Sequence, residues 1–313
     1  MNQDQTFISA VACADGDRDE LISFLTLIEQ TFTDRFSQGE LILVLRGGDS
    51  VNRQAIREHF AAHPTRLLTS IVTMDAASGQ ESAMNAGRDL AIGDYVFEFD
   101  DIHIDYDRET ILGAYAKCHE GFDIVTVRDD RKSRLTSRLF YRTFNRLAGK
   151  GASLGPSTFR VLSRRAINRV KSLSTYIPYR KAVYENAGLA CAELTYHSTD
   201  RSGISRHSTQ NARSGLAIDS FIYFTNLMEW ISLAICGIFF AIAVAVIIYV
   251  IVSLFSDEQL SSGWVSIMGF LSIGFTGLFG LMTIVLRYLS ALVDLTFRRQ
   301  RYLIHDIEKI SGV

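Results

Sequence analysis

The sequence predicts a mostly parallel α/β sheet flanked by helices, followed by two C-terminal transmembrane α-helices. Three observations carry that reading. Short apolar runs alternate with helical patterns from Phe7 to Val127. Residues 230 to 286 contain no Lys and no Arg, and their only charges are Asp257 and Glu258, so all 32 basic residues lie elsewhere. Basic residues crowd the far flank of that stretch, at Arg287 and at Arg298, Arg299 and Arg301.

The elements follow in order. Phe7–Cys13 reads as a strand, and Asp17–Phe32 as a helix with Leu21, Phe24, Leu25 and Ile28 on one face. Glu40–Leu45 is a second strand and Val51–Phe60 a helix. Leu67–Thr73 is a third strand and Gln80–Ala91 a helix. Tyr95–Phe99 is a fourth strand, Arg108–Cys118 a helix and Asp123–Val127 a fifth strand. Such alternation predicts a parallel sheet with helices on both faces. Ligands of these sheets bind beyond the carboxyl ends of the strands. The loops after Cys13, Leu45 and Phe99 are therefore the candidate site. They hold Asp15 and Asp17, then Gly47, Gly48 and Asp49, then Asp100 and Asp101.

Ser133–Gly149 reads as a basic amphipathic helix. Arg134, Arg138, Arg142 and Arg146 recur every four residues beside Leu135, Leu139 and Leu147. That composition suits a helix lying on an anionic interface, and equally a surface helix bound to acidic protein. The downstream anchor favours membrane lipids.

The anchor itself rests on length. Trp230–Phe255 is uncharged for 26 residues and Gln259–Leu286 for 28. About 20 apolar residues cross the hydrocarbon. Core helices rarely run past about 25 residues without a charge, which disfavours a buried pair. The expected organisation is a domain at 1–226, a first span at 227–256 and a short acidic loop at 257–263. A second span at 264–287 and a basic tail at 288–313 complete it. The positive-inside rule puts the domain and the tail in the cytoplasm of a multi-pass plasma (inner) membrane protein, with the loop outside. Met1–Thr6 is polar, so no signal peptide is expected. Cys13, Cys118, Cys191 and Cys236 are scattered without a CxxC pair and read as reduced thiols. A net charge of −2 speaks against nucleic acid as a partner, and leaves a homo-oligomer open.

Several segments resemble family 2 glycosyltransferases. Gln80-Glu81-Ser82-Ala83-Met84-Asn85-Ala86-Gly87 and Ala91-Ile92-Gly93-Asp94-Tyr95-Val96-Phe97-Glu98-Phe99-Asp100-Asp101 look like that family's N-x-G … A-x-G-D-hydrophobic-D-x-D region. Thr158–Arg165 resembles the FRLxSRR segment of its polyprenyl-phosphate (dolichol-phosphate-mannose-synthase-like) branch. Arg201–His207 is similar to that branch's R-x-G-x-S-K-Y, and Arg298–Tyr302 to its basic RxRY tail. Each motif alone is weak, but their order together with the anchor is fairly specific.

The resemblance implies a GT-A-like fold, a nucleotide-sugar donor, Mg²⁺ or Mn²⁺, and a polyprenyl-phosphate or lipid-linked glycan acceptor. It implies Asp100 and Asp101 as catalytic carboxylates, and Asp15, Gly47, Gly48, Asp49 and Asn85 at the nucleotide sugar. It implies Arg138, Arg142, Arg160, Arg201 and Arg206 at the acceptor phosphate.

Three motifs depart from the family. Its D-D-G-S is here Arg46-Gly47-Gly48-Asp49-Ser50, and its P-x-Y-N-E is Ala12-Cys13-Ala14-Asp15-Gly16. Ile102 stands where the second Asp of D-x-D belongs. Glu98 and Asp100, two apart on a strand and so on one face, can pair as metal ligands instead, with Asp101, His103 and Asp105 nearby, so the metal site is either rebuilt or lost. An active transferase is the favoured function, ahead of a GT-A-shaped subunit that binds a partner or lipid without turnover. His197 and His207 read as polar loop residues, and Tyr176, Tyr179 and Tyr184 as packing aromatics.

Overall fold

The computed structural model describes residues 3–47, 50–76, 78–130, 157–173, 180–185, 187–198, 227–255, 263–297 and 303–310. The chain divides into two units: Met1–Ala217 joined by Gln300–Val313, and Ile218–Arg299.

The first unit is built on one eight-stranded sheet. Its first half runs β1 (Ile8–Cys13), α1 (Arg18–Arg35), β2 (Gly39–Arg46), α2 (Ser50–Ala62), β3 (Leu68–Met74), α3 (Gln80–Leu90), β4 (Tyr95–Phe99), α4 (Arg108–His119) and β5 (Ile124–Asp129). These match the expected elements to within two or three residues at their ends. β6 (Phe159–Ser163), α5 (Arg164–Leu173), α6 (Arg180–Glu185) and β7 (Cys191–Tyr196) follow. β8 (Ile304–Ile310) comes from the far end of the chain.

The strand order is β7-β5-β6-β4-β1-β2-β3-β8. β1 pairs in parallel with both β2 and β4, and β2 with β3. β6 enters antiparallel between β4 and β5, and β8 antiparallel against β3. The sheet is thus mostly parallel, as the alternation predicted.

Both faces are covered, which is why β1 and β2 are apolar nearly throughout. On one face Phe24 and Phe32 of α1 meet Phe99 and Phe97 of β4 at ring separations of 5.2 and 4.9 Å. α2 and α4 contribute to the same layer. On the other face α3, α5 and Tyr184 of α6 pack over Val11, Val44 and Val96. α3 lies so close that a Cβ on Gly87 would stand 2.4 Å from a Val11 methyl.

Two segments of the family-like motifs prove to be fold staples. Gly93 is pressed against β1, where a Cβ would meet the Ser9 nitrogen at 2.6 Å, and its N–H donates to Ser9 Oγ. Arg164 donates to the carbonyls of Ala91 and Gly93, and Arg165 grips both oxygens of Asp123. The Ser-Arg-Arg run therefore ties β6 and α5 to the start of β4 and of β5.

The second unit holds α7 (Leu227–Phe255) and α8 (Trp264–Phe297). Phe239 stacks on Phe275 and Phe279 at 5.2 and 5.1 Å, so the two helices pack on one another. Phe270, Ile267 and Leu281 point outward, 81, 65 and 64 % exposed. Among the described residues one stretch, Gly269–Ser290, is long and apolar enough to cross a membrane, and Leu233–Tyr249 is a shorter apolar helix. The expectation was two such spans. The C-terminal segment also differs from the expected basic tail. α8 runs on to Phe297, and β8 then adds a strand to the sheet.

Candidate active site

The strand order reverses at β1, with β2 on one side and β4 on the other. Such a reversal marks the ligand-binding end of doubly wound sheets, here beyond the carboxyl ends of β1, β2 and β4. The loops there carry what the sequence suggested. Asp15 accepts from the Arg46 guanidinium and from the Cys13 thiol. Burial pushes the Cys13 thiol up, and Asp15 adds to it, so the thiol stays neutral. Asn52 donates to the carbonyls of Ala14 and Gly16 and so fixes the first loop. Gly47 turns the chain at φ +69° and donates to the Met74 carbonyl. That left-handed conformation suits glycine. Gly48 and Asp49 lie outside the described residues.

The fourth-strand loop is held by Gln80, which donates to the Asp100 carbonyl. Val96, Glu98 and Asp100 face α3 and α6, while Phe97 and Phe99 face α1. Glu98 is fully buried, and both its oxygens are taken. Arg180 Nη1 donates to one at 2.8 Å and Tyr184 Oη to the other at 2.7 Å. Arg180 also donates to Asp100 Oδ1 at 2.8 Å, and its N–H and Nε reach Glu81 Oε2 at 3.0 and 2.9 Å. Asp100 Oδ2 faces Lys181 Nζ at 3.0 Å and Arg160 Nη1 at 3.7 Å. Arg160 sits opposite Glu98 in the β4–β6 register.

The electrostatics follow from that packing. Burial alone would raise the Asp100 carboxyl, but Lys181, Arg160 and Arg180 overcome it and hold it well below the usual carboxylate range. Asp101 goes the other way. Burial, with the Asp100 charge beside it, pushes its carboxyl up to about 6. Lys181 and His103 also act on Asp101, but too weakly to offset its burial and the Asp100 charge.

Glu98 and Asp100 were expected to hold Mg²⁺ or Mn²⁺. The donor set does not fit. A hard divalent cation needs several oxygen ligands with lone pairs free, and here guanidinium, ammonium and phenol donors occupy them. Among the described residues no three His, Cys, Asp or Glu side chains gather to hold a metal. His103 pairs with Glu20 at 3.3 Å, and Asp105 accepts from Tyr196 and Ser198. Both are thereby committed to the fold.

Other expected residues land as follows. Asn85 is buried on α3, one turn beyond Glu81. Arg160, expected at the acceptor phosphate, is instead 3 % exposed beneath the β4 carboxylates. Tyr184 packs, as read. Arg138, Arg142, Arg201 and Arg206, with the basic helix of 133–149, lie outside the described residues, as do Tyr176, Tyr179 and His207. Sequence reading missed Arg180, Lys181 and Glu81. Their one signal was an Arg-Lys pair closing the aromatic run Tyr176–Tyr179.

Known proteins place this geometry. No family model matches the chain. An uncharacterized glycosyltransferase of Synechocystis sp. is 24 % identical over 176 residues, 54 % of this chain and 51 % of the relative. The chain thus spans about half the length of the curated relative it matches. Glucosyl-3-phosphoglycerate synthase from Mycobacterium tuberculosis, solved with Mn²⁺ and uridine-diphosphate-glucose, superposes at a TM-score of 0.52. It shares 16 % identity over 69 % of this chain and 77 % of that one. A second structure of that synthase gives 0.50, with 16 % identity over 71 and 81 %. The first unit has the GT-A type of fold. It is the α/β architecture, helices on both faces of a mostly parallel sheet, that the sequence predicted.

Proposed function

We propose that this chain is a glycosyltransferase that takes a sugar from a nucleotide-sugar donor and passes it to a polyprenyl-phosphate or lipid-linked acceptor at the cytoplasmic face of the plasma membrane. One observation carries the reading. In a GT-A fold, Asp15, Arg46, Gly47, Asp100 and Asp101 stand at the ends of β1, β2 and β4, around the strand-order reversal. The relative's name and the donor in the synthase structure support it. In the reaction the bond between the anomeric carbon and the diphosphate oxygen breaks, its electron pair leaving with the nucleoside diphosphate. An acceptor phosphate oxygen forms the new bond. A phosphate nucleophile is already anionic and needs little general base.

The membrane part of the reading is supported by connectivity. α7 and α8 lie between Tyr196 and β8, and β8 is hydrogen-bonded to β3. Two strands of one sheet share one side of a membrane, so the number of crossings between them is even. If Gly269–Ser290 spans, α7 spans with it.

The test is transfer by the purified full-length protein from UDP-, GDP- and dTDP-sugars to a short polyprenyl phosphate. Transfer that falls by orders of magnitude in Asp100→Asn, with folding intact, supports the reading. A second reading, a GT-A-shaped subunit without turnover, is favoured by the saturation of Glu98 and Asp100 with protein cations. Silence across the donor panel decides for it.

A further inference from the structure

Resting on that reading, we infer that the negative charge of the donor diphosphate is met here by Lys181 and Arg160, with no divalent cation. The inference starts from charge. Glu81, Glu98 and Asp100 supply three buried carboxylates, and Arg180, Arg160 and Lys181 supply three cations against them. The cluster is neutral as it stands. A divalent cation entering it would have to expel Arg180, which is 1 % exposed and bonded to all three acids. Burying a charge without partners is costly, and the guanidinium would have no other partner at hand.

The cations are not all spent. Arg160 Nη1, on a side chain 3 % exposed, has no hydrogen-bond partner among the described residues. Lys181 is the outermost of the three, its side chain 16 % exposed against 1 and 3 %. It carries three N–H donors, one of which faces Asp100. Both face Asp100 Oδ2, Lys181 at 3.0 Å and Arg160 at 3.7 Å. An arriving diphosphate oxygen therefore meets Lys181 first, with the unused Arg160 Nη1 buried behind it. Charge-assisted N–H···O⁻ bonds of this kind are among the strongest a phosphate makes.

Arg180 has a separate part. It touches no ligand, and it holds Asp100 and Glu98 so that Lys181 and Arg160 keep their places. It is a positioning residue.

The experiment measures binding of UDP, GDP, dTDP and inorganic pyrophosphate to the purified full-length protein by calorimetry. Each is titrated in excess EDTA and again in Mn²⁺, and direct Mn²⁺ binding is followed by electron paramagnetic resonance. The expected result is at least one nucleotide bound equally, within about three-fold, in both media. Lys181→Met should weaken it by about ten-fold or more, the loss of one charge-assisted contact, in protein that still unfolds in one cooperative melt. Arg160→Met is the second variant. Nucleotide binding that requires Mn²⁺ overturns the inference. So does Mn²⁺ bound in the absence of nucleotide and lost in Asp100→Asn. Pyrophosphate bound in EDTA through Lys181, with no nucleotide bound, upholds the anion site while removing the donor reading. No binding of any probe removes both.

Discussion

Replacing Arg180 by Met tests the site at its centre. The variant keeps the length and apolar stem of the side chain and deletes a guanidinium that touches Glu81, Glu98 and Asp100 at 2.8 to 2.9 Å. Breaking a buried pair by removing one partner costs about 3–5 kcal/mol, because the remaining charge is stranded. Three stranded acids put the expected loss at the upper end of that range. For a domain of this size 1 kcal/mol shifts the melting temperature by about 2–4 °C, so a loss of about 5 kcal/mol should lower it by about 10–20 °C at pH 7.

The pH dependence gives a second readout. In the native protein Asp100 is held below its ordinary pKa of 3.8. Its contribution to stability is therefore present above about pH 4 and lost as pH falls through the depressed value. In the variant the same carboxyl has lost one of its three cations, so the gap between variant and native protein should narrow as the solution is acidified toward pH 4. Adding Glu98→Gln to Arg180→Met should restore part of the loss, since one stranded charge is gone, with a coupling of about 0.5–3 kcal/mol. Thermal melts of the full-length protein in detergent between pH 4 and 8 make the measurement. A single variant within about 2 °C of the native protein across that range would refute the buried ion cluster.

Three further outcomes are expected. Asp101 is protonated more readily in the fold, at about 6 against 3.8, so native stability should fall as pH rises from about 4 to 6. Asp101→Asn should remove that slope and add on the order of 3 kcal/mol at pH 7, read from the same melts. Gly87→Ala puts a methyl 2.4 Å from Val11 and 2.9 Å from Val44, and overpacking of that kind should cost about 1–3 kcal/mol; an unchanged melting temperature would mean α3 stands farther from the sheet. Ser261→Cys should react with an impermeant thiol reagent on intact cells, and labelling only after lysis would reverse the topology.

The first five strands were legible because each is an apolar run closed by Gly, Asp or Asn, with amphipathic helices between. β7 was not, since Cys191–Tyr196 mixes Glu and Thr with its apolar residues and reads as surface. β8 was hidden more thoroughly. Ile304–Ile310 is apolar only at every third position, which is not the strand period, it sits beside a basic run, and nothing local points to a partner as remote as β3. The site divides in the same way. Asp15, Asp100 and Asp101 could be found because a strand–loop pattern says where ligands go. Arg180 could not, because its meaning lies in three acids brought to it by α3 and β4. A buried acid's counter-charge is a tertiary fact. Glu98 and Asp100 do share a face, as the strand period required, yet that face meets α6, and the period says nothing of what α6 brings.

The pairing of β8 with β3 also orders the making of the protein. Arg57 and Glu308, which bridge the two ends of the chain at 2.8 Å, are 251 residues apart. On the ribosome β3 emerges early and β8 only after α7 and α8. At about 5–20 residues per second that interval is about 10–50 seconds. Throughout it the outer edge of β3 has unpaired backbone groups, the kind of edge on which chains aggregate. The β3 edge is covered only once both helices have been made. Completion of the first unit is thereby conditional on synthesis of the second, and a nascent chain stalled before β8 would keep an open sheet edge for quality control to recognise.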